Sequence, residues 1–356
     1  MESSAHRAWG ATSGFTGVLK TAAGRACLLG ALLLASGSSA FAVGASTAPA
    51  GFVRTTVAAA AHPSRQATSL IATPLLNAPV YVGRVASARA ASGATEISSQ
   101  SVSVSRPDCF DCSRPHAVFV TSGVFAGFSF RVLATSPRGI TVDAQGFDLS
   151  EILAEGDAFE VRPLHTFRSL FGGDAATVPF TAAADAARAD QLLVNRDGSW
   201  RAYWFTGSTW RRAGSAGDAG DDVILPQDGI VVYRRAACAV EVRFVGDAPA
   251  TDAVVAVPAG AVSTVGNPFP TDAAIGEFGF ETVSGWRCSP QADEADQIQV
   301  CSGNTWRTYW HDGAQWKNSA GSAADPTIPA GTAMIVVRKA GDAANPFALI
   351  ARPYDL

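Results

Sequence analysis

Few side chains in this chain are placed to do chemistry. The stretch "RPDCFDCSRP" sets Cys109 and Cys112 in a C-x2-C spacing, with His116 just behind. Thiolate and imidazole are zinc ligands, but structural zinc takes four, and no second C-x2-C supplies the fourth. A redox C-x2-C heads a helix whose dipole lowers the thiol pKa, whereas Pro107 and Pro115 make this segment a loop. A local Cys109–Cys112 disulfide, or two unrelated thiols, is the preferred reading, with metal and redox use behind it. "GDAGDD", Gly217 to Asp222, brings three carboxylates together. It lacks the ligand spacing of a calcium loop and reads as a solvated turn. His62, His116, His165 and His311 form no H-E-x-x-H, and "AGSAG" at Ala213 lacks the first Gly of a nucleophile elbow. There is no phosphate-binding or dinucleotide loop. Acid–base carboxylates assembled from distant strands are the one catalytic route left open. The expectation is therefore a protein that is not an enzyme and has no metal or cofactor.

Aromatic residues offer a different chemistry. "ADQLLVNRDGSWRAYWFTGSTW", from Ala189, returns without a gap as "ADQIQVCSGNTWRTYWHDGAQW", from Ala295, at an offset of 106. The candidate ligand-binding residues are Trp200, Arg201, Tyr203, Trp204 and Trp210, with Trp306, Arg307, Tyr309, Trp310 and Trp316 in the second copy. Flat rings stack on sugar C–H faces, and the arginines could bond ring hydroxyls. The competing and preferred reading is core packing, because large aromatics hold small β modules together and packing constrains both copies alike.

These residues must sit on strands. In the first copy Leu192 and Val194 stay apolar in both repeats while position 193 changes, so 192 and 194 face inward. Alternation along the next strand puts Trp200 and Trp204 on one face, with Arg201 and Tyr203 on the other. One of those faces is core, and a ligand is expected to use the other. Which face receives Trp210 depends on the length of the turn before it.

The elements around this block are short. Strands are expected at Gly51–Val57, Ser69–Ala72 and Tyr81–Ala86. A one- or two-turn helix is expected near Leu149–Ala154, and a second is capped by Thr166 and stopped by Gly172. Each repeat closes on a Pro-led apolar strand, "VILPQDGIVVYRR" or "TIPAGTAMIVVRK". Thr166 is matched with Thr271, and Leu170 with Ile275. At 356 residues, 47% apolar and 16% charged, the chain can bury a substantial core and is not disordered. Its net charge of −4, without a basic stripe, argues against nucleic acid as a partner.

The N-terminus has the order of an export signal: Arg7, Lys20 and Arg25, then "ACLLGALLLA", then "AFA" with cleavage expected after Ala42. No later segment is apolar enough to span a membrane as a helix. An exported chain permits disulfides. Cys288 and Cys301 are a candidate pair, whose bridge would contribute roughly 3 kcal/mol. The first repeat has Ala182 and Asn195 there.

The paired "ADQ…W" blocks, the upstream "TSGVFAGFSF" and "FDLSEILAEGDAFEV", the leader and the ending "ARPYDL" together resemble a family of uncharacterised exported repeat proteins known mainly from Verrucomicrobia. The likeness covers nearly the whole mature chain, and the Cys residues depart from it. It implies export and a repeat architecture, and it brings no activity or catalytic residues. The expectation is an all-β chain with minor short helices: signal peptide 1–42, an N-terminal strand-rich region 43–135, and two tandem homologous modules, 136–238 and 239–356, each a β-sandwich or partly open β-barrel. The expected role is an exported, non-catalytic binding or structural protein of the cell surface or matrix, with polysaccharide or other surface proteins as partners. The alternatives are a carbohydrate-binding protein using the Trp/Tyr faces and a secreted polysaccharide-acting enzyme.

Overall fold

A computed structural model describes residues 49–62, 65–91, 93–99, 114–136, 139–144, 147–196, 198–302, 304–341 and 346–355. The expected signal peptide, residues 1–42, and the segment holding Cys109 and Cys112 lie outside the described residues.

The chain is all-β, with two short helices among the described residues. It begins with β1 (Ala50–Val57) and β2 (Ala67–Ile71). Alternation in β1 turns Val53, Thr55 and Val57 inward and Phe52, Arg54 and Thr56 outward. Six further strands then close into a barrel: β3 (Tyr81–Ala91), β4 (Ala94–Ser99), β5 (His116–Val120), β6 (Ser129–Ser136), β7 (Gly139–Asp143) and β8 (Ala158–Pro163). Their order around the barrel is β3-β4-β7-β6-β5-β8. The barrel is filled by Val85, Ile97, Val118, Phe130, Val142 and Phe159, with Leu149 of helix α1 (Leu149–Ile152) among them.

After the barrel the chain returns to the partners of β1 and β2. It forms β9 (His165–Thr166), helix α2 (Phe167–Phe171), β10 (Gln191–Arg196), β11 (Ser199–Phe205), β12 (Trp210–Arg212), β13 (Val223–Ile224), β14 (Ile230–Arg234) and β15 (Val240–Asp247). The main sheet runs β12-β11-β10-β14-β2, while β1 pairs with β15 and β9 with β13. Helix α2 has a reciprocal cap between Thr166 and Ser169 and ends at Gly172, whose φ of 95° suits glycine.

The second unit repeats this plan without a barrel. Its strands are β16 (Ala253–Ala256), β17 (Val262–Gly266), β18 (Ala273–Ala274), β19 (Gln297–Ser302), β20 (Thr305–His311), β21 (Trp316–Asn318), β22 (Thr327–Ile328), β23 (Ala333–Val337) and β24 (Phe347–Ile350). The sheet order β17-β23-β19-β20-β21 mirrors the first unit, as do the pairs β16-β24 and β18-β22. Two 3-10 turns, Ile275–Phe278 and Phe280–Thr282, stand where α2 does.

The strands therefore do not divide at 135 and 238. Residue 135 lies inside β6, a barrel strand, and β15 belongs to the first unit because Val57 pairs with Val240. The barrel is an insertion between β2 and β9, where the second unit has only residues 267–272. The equivalence at the next strand also shifts. Thr166 pairs with Val223 and Ala274 with Thr327, so Ala274, and not Thr271, is the counterpart of Thr166. Ile275 then matches Phe167 and not Leu170. The offset drifts between blocks because insertions fall in the connections.

Where the barrel joins, Arg162 is 3% exposed; its Nη1 donates to the Asn77 carbonyl (2.7 Å) and to Asp247 (2.9 Å). Phe128 and Phe147 of the barrel also meet Phe347 of the second unit at 5.5 and 5.4 Å.

The two main sheets pack against each other on the faces turned away from their own cores. Leu70, Ala72, Leu193 and Val231 of one meet Cys301, Ala333 and Ile335 of the other. The contact is two-fold: Ile71 bridges Thr332, and its counterpart Val265 bridges Asp228, the counterpart of Thr332. Ala72 N donates to Gly331 O (2.9 Å) and Gly266 N to Gln227 O (3.0 Å), again the same positions exchanged. A Cβ built at Gly229 would stand 2.8 Å from Ala333 Cβ, and one at Gly266 2.5 Å from Ala72 Cβ. The sheets approach so closely there that only glycine fits.

Candidate ligand-binding cleft

The aromatic hairpin divides between its two faces. Tyr203, Phe205 and Trp210 are buried in the first core, as are Tyr309 and Trp316 in the second. Phe205 lies directly across from Trp210, with 206–209 as the connecting loop, so Trp210 joins Tyr203 on the core face. Tyr203 stacks on Phe167 of α2 at 4.0 Å. The Arg/Tyr face is the core face. On the other face Trp204 is half-buried and Trp310 buried, while Trp200 and Trp306 are 42% and 43% exposed. Core packing therefore holds for most of the block but not for these last two. They sit near the starts of β11 and β20.

Arg201 lies on the core face of β11 but at its open end, opposite Val194. The barrel stands over that end, and between the two bodies lies a cleft of about 720 Å³. One face of β11 thus both packs the core and lines a cavity, which differs from the expectation that a ligand uses the face opposite the core. Arg131 of β6 and Asp143 of β7 contribute from the barrel; Arg196, Arg201, Tyr203 and Arg212 contribute from the first unit.

The cleft's electrostatics follow from its neighbours. Asp222 accepts from the Tyr203 hydroxyl at 3.0 Å and from Arg212 at 2.8 Å. Burial, then the Asp222 charge, raises the Tyr203 pKa. Arg196 is held from beneath by Asp228 and donates to Val223 O at 2.9 Å. Burial pushes Asp228 above the usual carboxylate range, against the pull of Arg196. Arg131 and Arg201 take part in no ion pair among the described residues. The "GDAGDD" carboxylates are not a free turn: Asp218 and Asp221 hold Arg168 at 2.6 and 3.2 Å, and Asp222 holds Arg212.

The second unit keeps Arg307 and Tyr309 but has Ser302 and Asn318 where the first has Arg196 and Arg212.

The thiols do not pair as expected. Cys238, Cys288 and Cys301 are free. Cys301 faces β2, its Sγ 3.4 Å from Thr68 O, while Cys288 stands 3.4 Å from His311 Nδ1. Cys301 is opposite Trp306 and His311 lies five residues further along β20, which separates the thiols by about 16 Å at roughly 3.3 Å per residue, beyond disulfide reach. Cys109 and Cys112 lie outside the described residues; His116 caps the start of β5, with Nδ1 2.8 Å from Arg114 O.

The shared "ADQ" of the two blocks has a structural role that its residue types alone do not name. Asp190 and Asp296 are fully buried and ion-paired to Arg234 (2.9 Å) and Arg338 (3.2 Å) of the Pro-led strands. Each also accepts from the backbone N–H after its arginine, Arg235 or Lys339, at 2.6 Å. Gln191 and Gln297 donate to Ala186 O and Ala292 O. The signal was present in the sequence: an apolar Ala before an Asp, with an Arg ending each closing strand. Arg131 and Arg196 could not have been chosen, because only the barrel's placement makes them neighbours.

No family model matches the chain, and no curated protein or solved structure matches it either. No helix of the described residues is long and apolar enough to cross a membrane.

Proposed function

We propose that this is an exported, non-catalytic binding protein of the cell surface or extracellular matrix, and that its ligand occupies the cleft between the barrel and the first unit. The observation that carries this is the pair Arg131 and Arg201, two guanidiniums without ion-pair partners among the described residues, lining one cavity from two bodies. A volume of about 720 Å³ lies in the range of ligand sites, and the polar lining selects a polar, acidic ligand. Asp221 and Asp222 are engaged with arginines, which supports binding over acid–base hydrolysis. The leader and the likeness to exported repeat proteins support the location.

The test is calorimetric titration of galacturonate into the full chain and into Arg201→Ala. Binding to the wild type that Arg201→Ala removes, with unchanged circular dichroism, supports the cleft. A second reading, sugar stacking on Trp200 and Trp306, rests on their exposure. It holds instead if Trp200→Ala and Trp306→Ala abolish binding while Arg201→Ala does not.

A further inference from the structure

The cleft does not end at Arg131. A second cavity of about 300 Å³ adjoins it and shares Arg131, Asp221 and Val223. Arg201 lines only the first cavity and Arg114 only the second, so Arg201, Arg131 and Arg114 stand in that order along one groove. Arg114, like the other two, takes part in no ion pair among the described residues. Cations at intervals along a groove suit a chain ligand that carries its anions at intervals.

The lining narrows the class. Asp143 on the barrel side and Asp221 and Asp222 on the side of the first unit line the same cleft and would repel a densely charged polymer such as a sulfated glycan or a nucleic acid. The same carboxylates, with Gln227, are acceptors for hydroxyls. The aromatic rings lining the groove, Tyr203 and His116, are 4% and 6% exposed and present no face for a base to stack on. Leu133, 55% exposed beside Arg131, supplies an apolar surface for sugar C–H groups.

We propose that the groove binds a polyuronate, a chain of uronic-acid sugars, with successive carboxylates on Arg201, Arg131 and Arg114 and hydroxyls on the carboxylates between. This rests on the cleft being the ligand site. A carboxylate matches the fork of a guanidinium, and a polyuronate carries one charge per sugar with hydroxyls on either side.

The experiment titrates the full chain, wild type, Arg201→Ala and Arg114→Ala, with galacturonate and with tetragalacturonate; heparin, dextran and single-stranded DNA are the comparators. The tetramer is expected to bind at least ~10-fold tighter than the monomer. Removing one charge-assisted contact weakens binding by roughly 10-fold or more. Arg114→Ala should weaken the tetramer to that extent and leave the monomer unchanged, whereas Arg201→Ala should weaken both. Equal affinities for the two lengths, with no effect of Arg114→Ala, overturn the polyuronate groove and leave the cleft standing. Tighter binding of heparin or DNA assigns the groove to those polymers instead. No binding of any of these ligands to the wild type removes the cleft itself.

Discussion

The two units carry nine strands each in the same order and the same pairing, yet they differ in how they use equivalent positions. Both bury an Asp–Arg pair, Asp190–Arg234 and Asp296–Arg338, and both place a Tyr and a Trp in the core. They part where the barrel touches the first. Arg196, Arg212 and His165 have Ser302, Asn318 and Ala273 as counterparts. Trp210 donates its Nε1–H to Gly172 O at 2.8 Å, whereas Trp316 Nε1 is buried without a partner among the described residues, 3-10 turns standing where the first unit has helix α2. Phe205 beside Ala182 becomes His311 beside Cys288. Positions the units share hold the module together, and Arg196 and Arg212, unique to the first, line the cleft.

That division can be tested by substitution. Removing one carboxylate of a buried pair strands its arginine, so Asp190→Ala and Asp296→Ala should each cost about 3–5 kcal/mol in urea unfolding. A much smaller cost in one unit would break the claim that the pair is common scaffold. Trp210→Phe and Trp316→Phe remove the same ring volume, but only the first also removes a hydrogen bond. Trp210→Phe should therefore cost about 1 kcal/mol more, measured the same way; equal costs would mean that the Gly172 contact contributes nothing.

Between pH 7 and 5 an acid response is expected from His165 of the first unit. His165 Nδ1 faces the Asn77 Nδ2 donor at 3.3 Å, so its Nε2 carries the proton given to Leu75 O at 3.0 Å. Burial holds its pKa below 6.5 in the folded chain. The unfolded chain then binds more protons, so this contribution is complete above about pH 6.5 and is lost as pH falls through the lower folded value. His165→Gln should flatten the fall in Tm between pH 7 and 5; an unchanged slope would assign it to other groups. The smallest effect is expected at the thiols. Cys288→Ala should change stability by less than about 0.5 kcal/mol, since no bridge is lost. A loss of several kcal/mol would indicate a disulfide.

Several elements were legible in local sequence. Strands β1, β2 and β3 begin within two residues of their expected starts, and α2 is capped by Thr166 and ended by Gly172 as its residues indicate. The duplicated hairpin was legible because both copies keep the spacing from "ADQ" to the last Trp. The split of the first unit was not. Val57 pairs with Val240 and Ile71 with Ile230, across the whole inserted barrel, and nothing in either segment names its partner. Arg131, Arg196 and Arg201 were separate arginines in the sequence until the barrel's placement put them on one cavity.

By itself the sequence determined what depends on near neighbours: the all-β class, the alternation that sets Trp200 and Trp204 opposite Arg201 and Tyr203, the helix caps and the duplication. Alternation reports that two faces differ, since side chains on a strand point to opposite sides every second residue. It does not report which face meets the core, because that depends on what packs there. Only the tertiary structure decided that Tyr203 goes inward against Phe167, that the two sheets share a two-fold contact, and that a barrel inserted after β2 forms a cleft with Arg201 in its lining. Each of those is a contact between segments far apart in the chain, where packing and register choose the partner.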